Sequence, residues 1–482
     1  MQIQAPGPRI FEAPLNSSIA SDSAVEPSRD GVAGCCDAGV ESSWLAVLAS
    51  SRFRRLSREF FWVGLGQAAT VLGAVVGVRI LTGILTPQAY GELALGMTVA
   101  TLATQTVLGP LGNAAMRFFA PAREAGALQS YLAAVKRLLL EASGTTGALA
   151  FVLILILGVT GQRKWVGLVL AATLFALLSG YNSVLNGMQN AARQRAIVAL
   201  HHALATWGRF LLAAGLVLWL GDGATVAMLG YAAAIVLALL SQSWFFRRTI
   251  HARRRAISGD RTHNNETWRA RMLSYAWPFV TWAFLEWAKM ASGRWGLQVF
   301  CTTKEVGYYA VLYQLGYYPL TLLTQLATSF LSPIYFQRIG DASNLTRVRG
   351  VHRFGARLTW LAIVLTVVAT VAVALFHRQL FFFLVAAEYR TVSYLLPGMI
   401  LAGGLGAAAR FITTLFQARL RVKDLIVPRV ASETLGLFAN IAGAALFGVL
   451  GVVLANVMYA VISLVWIGSV FRRVPTTVSK EE

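Results

Sequence analysis

The stretch WAFLEWAKMASGRWGLQVF, Trp282 to Phe300, sets Glu286, Lys289 and Arg294 inside an otherwise apolar run. Opposite charges three residues apart share a helix face, so Glu286 and Lys289 are expected either to neutralise each other or to face a wet lumen together. Further ionisable residues stand in apolar surroundings: Arg79, Arg117, Arg209 within ATWGRFLLAA, Arg410 within LAGGLGAAAR, and Glu433. A lone charge at the centre of a bilayer costs about 2.5–3.5 kcal/mol on insertion scales, so several together call for partners or a hydrated interior. Arg offers a planar donor fork and Lys a mobile ammonium, and a cavity dominated by them suits phosphate or pyrophosphate. The expected substrate-binding set is Arg79, Arg117, Arg209, Lys289, Arg294 and Arg410. Glu286 and Glu433 are the candidates for coupling to H+ or Na+. No nucleophile–base arrangement, catalytic acid pair or phosphate-binding glycine loop accompanies these residues. The expected protein is a transporter, not an enzyme, with no catalytic residue, metal site or cofactor.

The elements that must carry these charges follow from composition. The chain has 482 residues, 56% hydrophobic and only 13% charged, and a mean hydropathy of +0.60. A soluble protein carries about a quarter charged residues, so the solvent here is a bilayer. Residues 1–57 differ, being rich in Ser, Ala, Pro, Gly, Asp and Glu without an apolar stretch long enough for a signal-peptide core. They are expected to form a disordered, uncleaved cytoplasmic tail. Cys35, Cys36 and Cys301 are the only cysteines, and their spacing suggests neither a disulfide scaffold nor a metal site.

Runs long enough to span hydrocarbon number about twelve: residues 60–84, 90–116, 143–160, 165–187, 196–220, 224–246, 273–300, 307–335, 358–384, 392–417, 425–448 and 450–471. The stretch 119–142 is a candidate for an amphipathic surface helix. Backbone groups in lipid must pair internally, so the spans are helices. Alternate connections are basic: SRFRRLSREF before the first span, RRTIHARRRAISGDRTHNNETWRAR at 247–271, Arg347 to Arg357, Arg419 to Arg429, and Arg472–Arg473. Both termini are therefore expected in the cytoplasm. This pattern accounts for the net charge of +21 without invoking nucleic acid, and it favours contact with anionic lipid. On this reading Arg209, Glu286 and Lys289 fall near mid-membrane. Arg79, Arg117 and Arg294 lie closer to span ends, where snorkelling to headgroups is the alternative to a lumen role. His201 and His202 read as packing or interfacial residues, with a proton relay as the alternative.

The basic connection 247–272 divides the spans equally, into residues 58–246 and 273–482. Sliding Pro87-Gln-Ala-Tyr-Gly91 over Thr303-Lys-Glu-Val-Gly307 aligns a short turn, a glycine and a new apolar helix in each half. The expected fold class is an all-α integral membrane protein of about twelve helices in two six-helix bundles, related by a pseudo-twofold axis along the membrane normal.

The stretches RILTGILTPQAYGELALGMTVATLATQTVLGPLGNAAMRFFA and MASGRWGLQVFCTTKEVGYYAVLYQLGYYPLTLLTQLATSFLSPIYFQR resemble matching regions of the bacterial polysaccharide-biosynthesis flippases. These are O-antigen and exopolysaccharide repeat-unit transporters of the multidrug/oligosaccharidyl-lipid/polysaccharide exporter superfamily, and the resemblance covers residues 58–475. It implies two bundles around a central cavity in the bacterial inner membrane. It also implies movement of an undecaprenyl-pyrophosphate-linked oligosaccharide between leaflets by alternating access, coupled to an ion gradient. Polysaccharide polymerase and chain-length machinery are the implied partners. By position, Arg79, Arg117 and the Lys289/Arg294 region resemble the cationic cavity residues of such flippases. Many relatives carry an Asp before the GYYA-like turn, where this chain reads KMASGRWGLQVF, which puts a cation site there in doubt. The alternatives are a multidrug or peptidoglycan-precursor exporter, a membrane-embedded polymerase or glycosyltransferase, and a non-transporting assembly scaffold.

Overall fold

The computed structural model describes residues 51–473 except 193, 222, 255–264, 340–344 and 419–421, with the backbone alone for some residues beside these gaps. By internal contacts the chain divides into Met1–Leu56 and Ser57–Glu482. The hydrophobic core lies within the second unit.

Among the described residues every regular element is helical: α1 (Ser51–Ile84), α2 (Pro87–Ala103), α3 (Gly109–Glu124), α4 (Leu128–Val159), α5 (Val166–Ala191), α6 (Arg195–Leu220), α7 (Ala224–Arg254), α8 (Asn265–Phe300), α9 (Thr303–Leu312), α10 (Tyr318–Ile339), α11 (Leu345–Leu384), α12 (Leu396–Ala418) and α13 (Ile426–Arg473). Nine segments among the described residues are long and apolar enough to cross a membrane. One of them, Ile426–Arg472, is bent at Gly448, whose φ of 55° and ψ of −135° interrupt the helix. That left-handed conformation is open to glycine at little cost. Neither α8 nor the helix formed by α9 and α10 is among the nine. The first carries Glu286, Lys289 and Arg294, and the second the run of tyrosines from Tyr308 to Tyr318, so polarity is concentrated where helices face inward.

Local chemistry fixes the helix starts. Thr86 caps α2 by accepting from the Ala89 amide at 3.2 Å, and Pro87 follows at a first-turn position that has no amide to satisfy. At the matching turn in the second half, Thr302 caps α9 in a capping box: its hydroxyl accepts from the Glu305 amide at 3.3 Å, and the Glu305 carboxylate accepts from the Thr302 amide at 3.4 Å. The two starts obey the same logic with different residues.

In the first half α7 packs on α5 and α6, and α5 on α2 and α3; in the second, α12 packs on α10, α11 and α13, and α13 on α8. The crossing of α2 over α9 joins them. The largest core cluster runs through this crossing, from Val78, Leu81 and Leu85 to Val306, Leu312, Phe381 and Val452. Residues 128–142 are not a surface helix but the opening turns of α4. Tyr131, Ala134, Val135 and Leu138 are buried there with Trp268 and Met272 of α8, because apolar residues at helical spacing make a packing stripe. The basic connection at 247–272 is likewise helical at both ends, as α7 runs to Arg254 and α8 starts at Asn265.

The bend in α13 folds its two limbs onto one another. A Cβ on Gly443 would stand 2.5 Å from the Gly451 carbonyl oxygen, so the limbs meet backbone to backbone. Gly443→Val is expected to destabilise the protein by about 1–3 kcal/mol, the usual cost of overpacking. A thermal melt of the detergent-solubilised protein reads this as a lowered midpoint; an unchanged midpoint would mean that the limbs do not touch at this residue.

Candidate functional site

A cavity of about 430 Å³ lies among helices drawn from both halves. Among the described residues five cations line it, Arg209 from α6, Lys289 and Arg294 from α8, Arg410 from α12 and Arg429 from α13, together with two carboxylates, Glu286 and Glu433. The fold brings them together because each lies on the inward face of its helix. Residues Thr104–Leu108 and Tyr313–Tyr317 are π-turns within the second span of each half, and they bring Gln105, Tyr313, Gln314 and Tyr317 to the cavity wall. Extra residues of this kind re-aim side chains and are frequent at functional sites.

Most of these cations rest on aromatic rings instead of carboxylates. The Arg209 guanidinium lies 5.1 Å from the Phe210 ring and 5.3 Å from that of Tyr231. Arg294 lies 5.2 Å from Tyr313, and Arg429 lies 4.2 Å from Trp282. Lys289 is buried, with its ammonium 3.7 Å from the Tyr459 ring and 5.7 Å from that of Tyr317. Tyr313 and Tyr317 stack on each other at 5.0 Å and 20°. A ring face stabilises a cation through its quadrupole without cancelling its charge. The Nε atoms of Arg209 and Arg294 are moreover buried and have no hydrogen-bond partner among the described residues, which is costly unless something else occupies the site. Arg410 differs, meeting Glu286 at 3.8 Å. Five cations against two carboxylates leave the cavity electropositive.

The carboxylates are held apart. Glu286 and Lys289 were expected either to neutralise each other or to share a lumen face; both side chains line the cavity, and Glu286 pairs with Arg410. Lys289 instead donates to Asn456 Oδ1 at 3.3 Å. Asn456 Nδ2 in turn bonds Asn440 Oδ1, the Tyr309 hydroxyl and the Val452 carbonyl at 3.2, 3.2 and 2.8 Å. Asn440 Nδ2 bonds the Lys289 carbonyl and Ser292 Oγ, both at 3.1 Å. Glu433 Oε1 accepts from the Tyr459 hydroxyl at 2.6 Å, while its Oε2 is buried without a partner among the described residues. Among the described residues no three His, Cys, Asp or Glu side chains gather as metal ligands do.

Arg79 and Arg117 do not join the site. Both are exposed and neither lines the cavity. The buried stripe of α1 runs through Ala74, Val78 and Leu81, and Gly77 lies against the Phe210 ring, which turns Arg79 outward. In α3 the buried residues Ala114, Ala115 and Phe119 likewise leave Arg117 on the open side. Span position alone cannot show helix facing. Arg429, counted in the sequence as a topogenic cation, belongs to the cavity; the available signal was its place four residues before Glu433, on the same helix face. The inward tyrosines also had a readable pattern, Tyr309, Tyr313 and Tyr317 at four-residue intervals. His201 and His202 pack: His201 meets the Ile197 carbonyl at 2.8 Å and Ser241 Oγ at 3.0 Å, and His202 meets Thr70 Oγ1 at 3.3 Å.

Residues 56–338 match the family described as polysaccharide biosynthesis protein. The chain belongs to this family. With nine candidate spans it is a multi-pass membrane protein. No curated protein matches it. Among solved structures, an inward-facing multidrug resistance MATE family transporter of the MOP superfamily is 14% identical over 85% of this chain and 96% of its own, with a TM-score of 0.58. The lipid II flippase MurJ in an inward closed conformation is 10% identical over 84% of this chain and 86% of its own, with a TM-score of 0.63. A MOP superfamily transporter from Pyrococcus furiosus, whose binding pocket is described as having reversed polarity, is 15% identical over 87% and 95%, with a TM-score of 0.53. At these identities the likeness establishes a shared fold, that of MATE transporters and MurJ.

Proposed function

We propose that this polysaccharide biosynthesis protein is a flippase that carries a polyprenyl-pyrophosphate-linked oligosaccharide repeat unit from the inner to the outer leaflet of the bacterial inner membrane. The observation that carries the proposal is the set of cavity cations held over aromatic rings and left electrostatically available. A pyrophosphate supplies the anionic oxygens that the unpartnered Arg209 and Arg294 lack, and two guanidinium forks from opposite halves suit a two-phosphate group. The sugars ride in the polar lumen and the polyprenyl tail stays in lipid.

In this proposal the chain crosses the membrane about twelve times, in two six-helix bundles related by an axis along the membrane normal. The bend that makes two limbs of α13 and the polar spans α8 and α9–α10 support that number. Both termini are cytoplasmic, and H+ or Na+ entering at Glu286 or Glu433 drives the return of the empty carrier. Polymerase and chain-length machinery receive the product.

Leaflet-resolved profiling of lipid-linked oligosaccharides tests the function. In a deletion strain the lipid-linked repeat unit is expected to accumulate on the cytoplasmic side, and the wild-type gene is expected to clear it. Unchanged leaflet distribution would refute the proposal, and accumulation of a peptide-bearing precursor instead would reassign the cargo.

A further inference from the structure

Three turns contribute to one core cluster: residues 85–86 between α1 and α2, 301–302 between α8 and α9, and 385–386 after α11. Tyr389, in the 3-10 segment Ala387–Leu395, is fully buried there. Its hydroxyl donates to the Leu85 carbonyl at 2.8 Å, a bond between the two halves of the chain. Beside it, the Ala386 amide donates to Thr82 Oγ1 at 3.3 Å. The Tyr389 ring meets Tyr90 and Tyr308 edge-on, with centroids 6.0 and 6.1 Å apart. Tyr90 also lines the cavity with Arg209 and Arg294.

Immediately below, α2 crosses α9 at Gly91 and Gly307 with their backbones in contact. A Cβ on Gly91 would stand 2.9 Å from the Gly307 amide nitrogen, and one on Gly307 would overlap the Pro87 carbonyl oxygen. Neither glycine admits any other residue unless the halves part. All three turns belong to the connections that the charge pattern places on the non-cytoplasmic face of the membrane.

We propose that Tyr389 is the latch of an outer gate, closed by its bond to Leu85 and by the Gly91–Gly307 crossing. The gate has to open for cargo to leave. Tyr90, in contact with both the cavity and Tyr389, connects the cationic site to the latch. Calling it a gate rests on the transport reading, but its closure is measurable without any cargo.

The test is cavity accessibility. In a chain with Cys35, Cys36 and Cys301 replaced by alanine, Thr101→Cys supplies one cavity thiol, and a membrane-impermeant maleimide is applied to right-side-out or inside-out vesicles. The parent is expected to label from the cytoplasmic face only. Tyr389→Phe, which removes one buried hydrogen bond, is expected to raise labelling from the outer face roughly fivefold. Thr82→Val deletes the second acceptor and is expected to act in the same direction, and it decides the matter if Tyr389→Phe does not insert. Gly307→Ala is expected to open the gate furthest. Labelling from the outer face that stays at the parental level in Tyr389→Phe and Thr82→Val, even where cytoplasmic labelling rises, overturns the proposal. Gate-dependent labelling in a protein that leaves lipid-linked sugars undisturbed would instead refute the cargo and keep the gate.

Discussion

Replacing Arg209 and Arg294 together with methionine is expected to abolish export of the surface polysaccharide while the protein remains folded in the membrane. Methionine keeps the apolar stem that packs along the helix and removes only the charge, so lost packing does not confuse the result. A charged hydrogen bond contributes about 1.5–3 kcal/mol, roughly 10- to 100-fold in affinity for each fork withdrawn from an anionic cargo. Stability is expected to move the other way. Both Nε atoms are buried without partners among the described residues, so removing them should leave the thermal midpoint unchanged or raise it. Loss of transport with retained or increased stability marks side chains kept for a ligand at the expense of the fold. Arg209→Lys and Arg294→Lys keep the charge without the planar fork and are expected to retain a fraction of activity. Arg410→Met is expected to cost less than either, because Glu286 already meets that guanidinium at 3.8 Å. Normal export in the double variant would remove the pyrophosphate from this cavity.

The contrast among these residues shows what a sequence can disclose. A charge within an apolar run announces itself, which is why Arg209, Glu286, Lys289, Arg294, Arg410 and Glu433 were legible, and all six line the cavity. The direction in which a side chain points depends on which neighbour its helix meets. Arg79 could not be told from Arg209 without knowing that Gly77 lies against Phe210. Partner choice is equally non-local. Glu286 and Lys289 are close along one helix, yet Arg410 and Asn456, both far along the chain, determine where each ends. Aromatic support was hidden because Tyr231 and Tyr459 sit in spans whose periodicity reads as ordinary packing. The hydropathy of the spans was legible for the opposite reason: it depends on composition over some twenty residues and not on any single contact. That same averaging excludes α8 and α9–α10 from the nine clear spans, since a helix that lines a wet cavity must sacrifice hydropathy to do so.

Lys289→Met is expected to be the most destabilising single change at the site, for a reason that concerns its neighbour. Lys289 and Glu433 are each only 6% exposed, and Tyr459 stands between them, its ring 3.7 Å from the ammonium and its hydroxyl donating to Glu433 Oε1 at 2.6 Å. Removing the ammonium leaves a buried carboxylate that, among the described residues, accepts only from the neutral Tyr459 phenol. The two charges are not in direct contact but share Tyr459, so the loss is expected to approach, without reaching, the roughly 3–5 kcal/mol of a buried ion pair broken from one side. Glu433→Gln is expected to cost less, because Asn456 Oδ1 and the Tyr459 ring still hold the ammonium. The double variant Lys289→Met/Glu433→Gln should therefore recover much of the stability lost in Lys289→Met, a coupling that a double-mutant cycle of thermal midpoints would measure directly. Additive losses would mean that the two charges do not interact. In that case Lys289 would be positioned by Asn456 and the tyrosines alone, and Glu433 would be free to exchange a proton without disturbing the cation beside it.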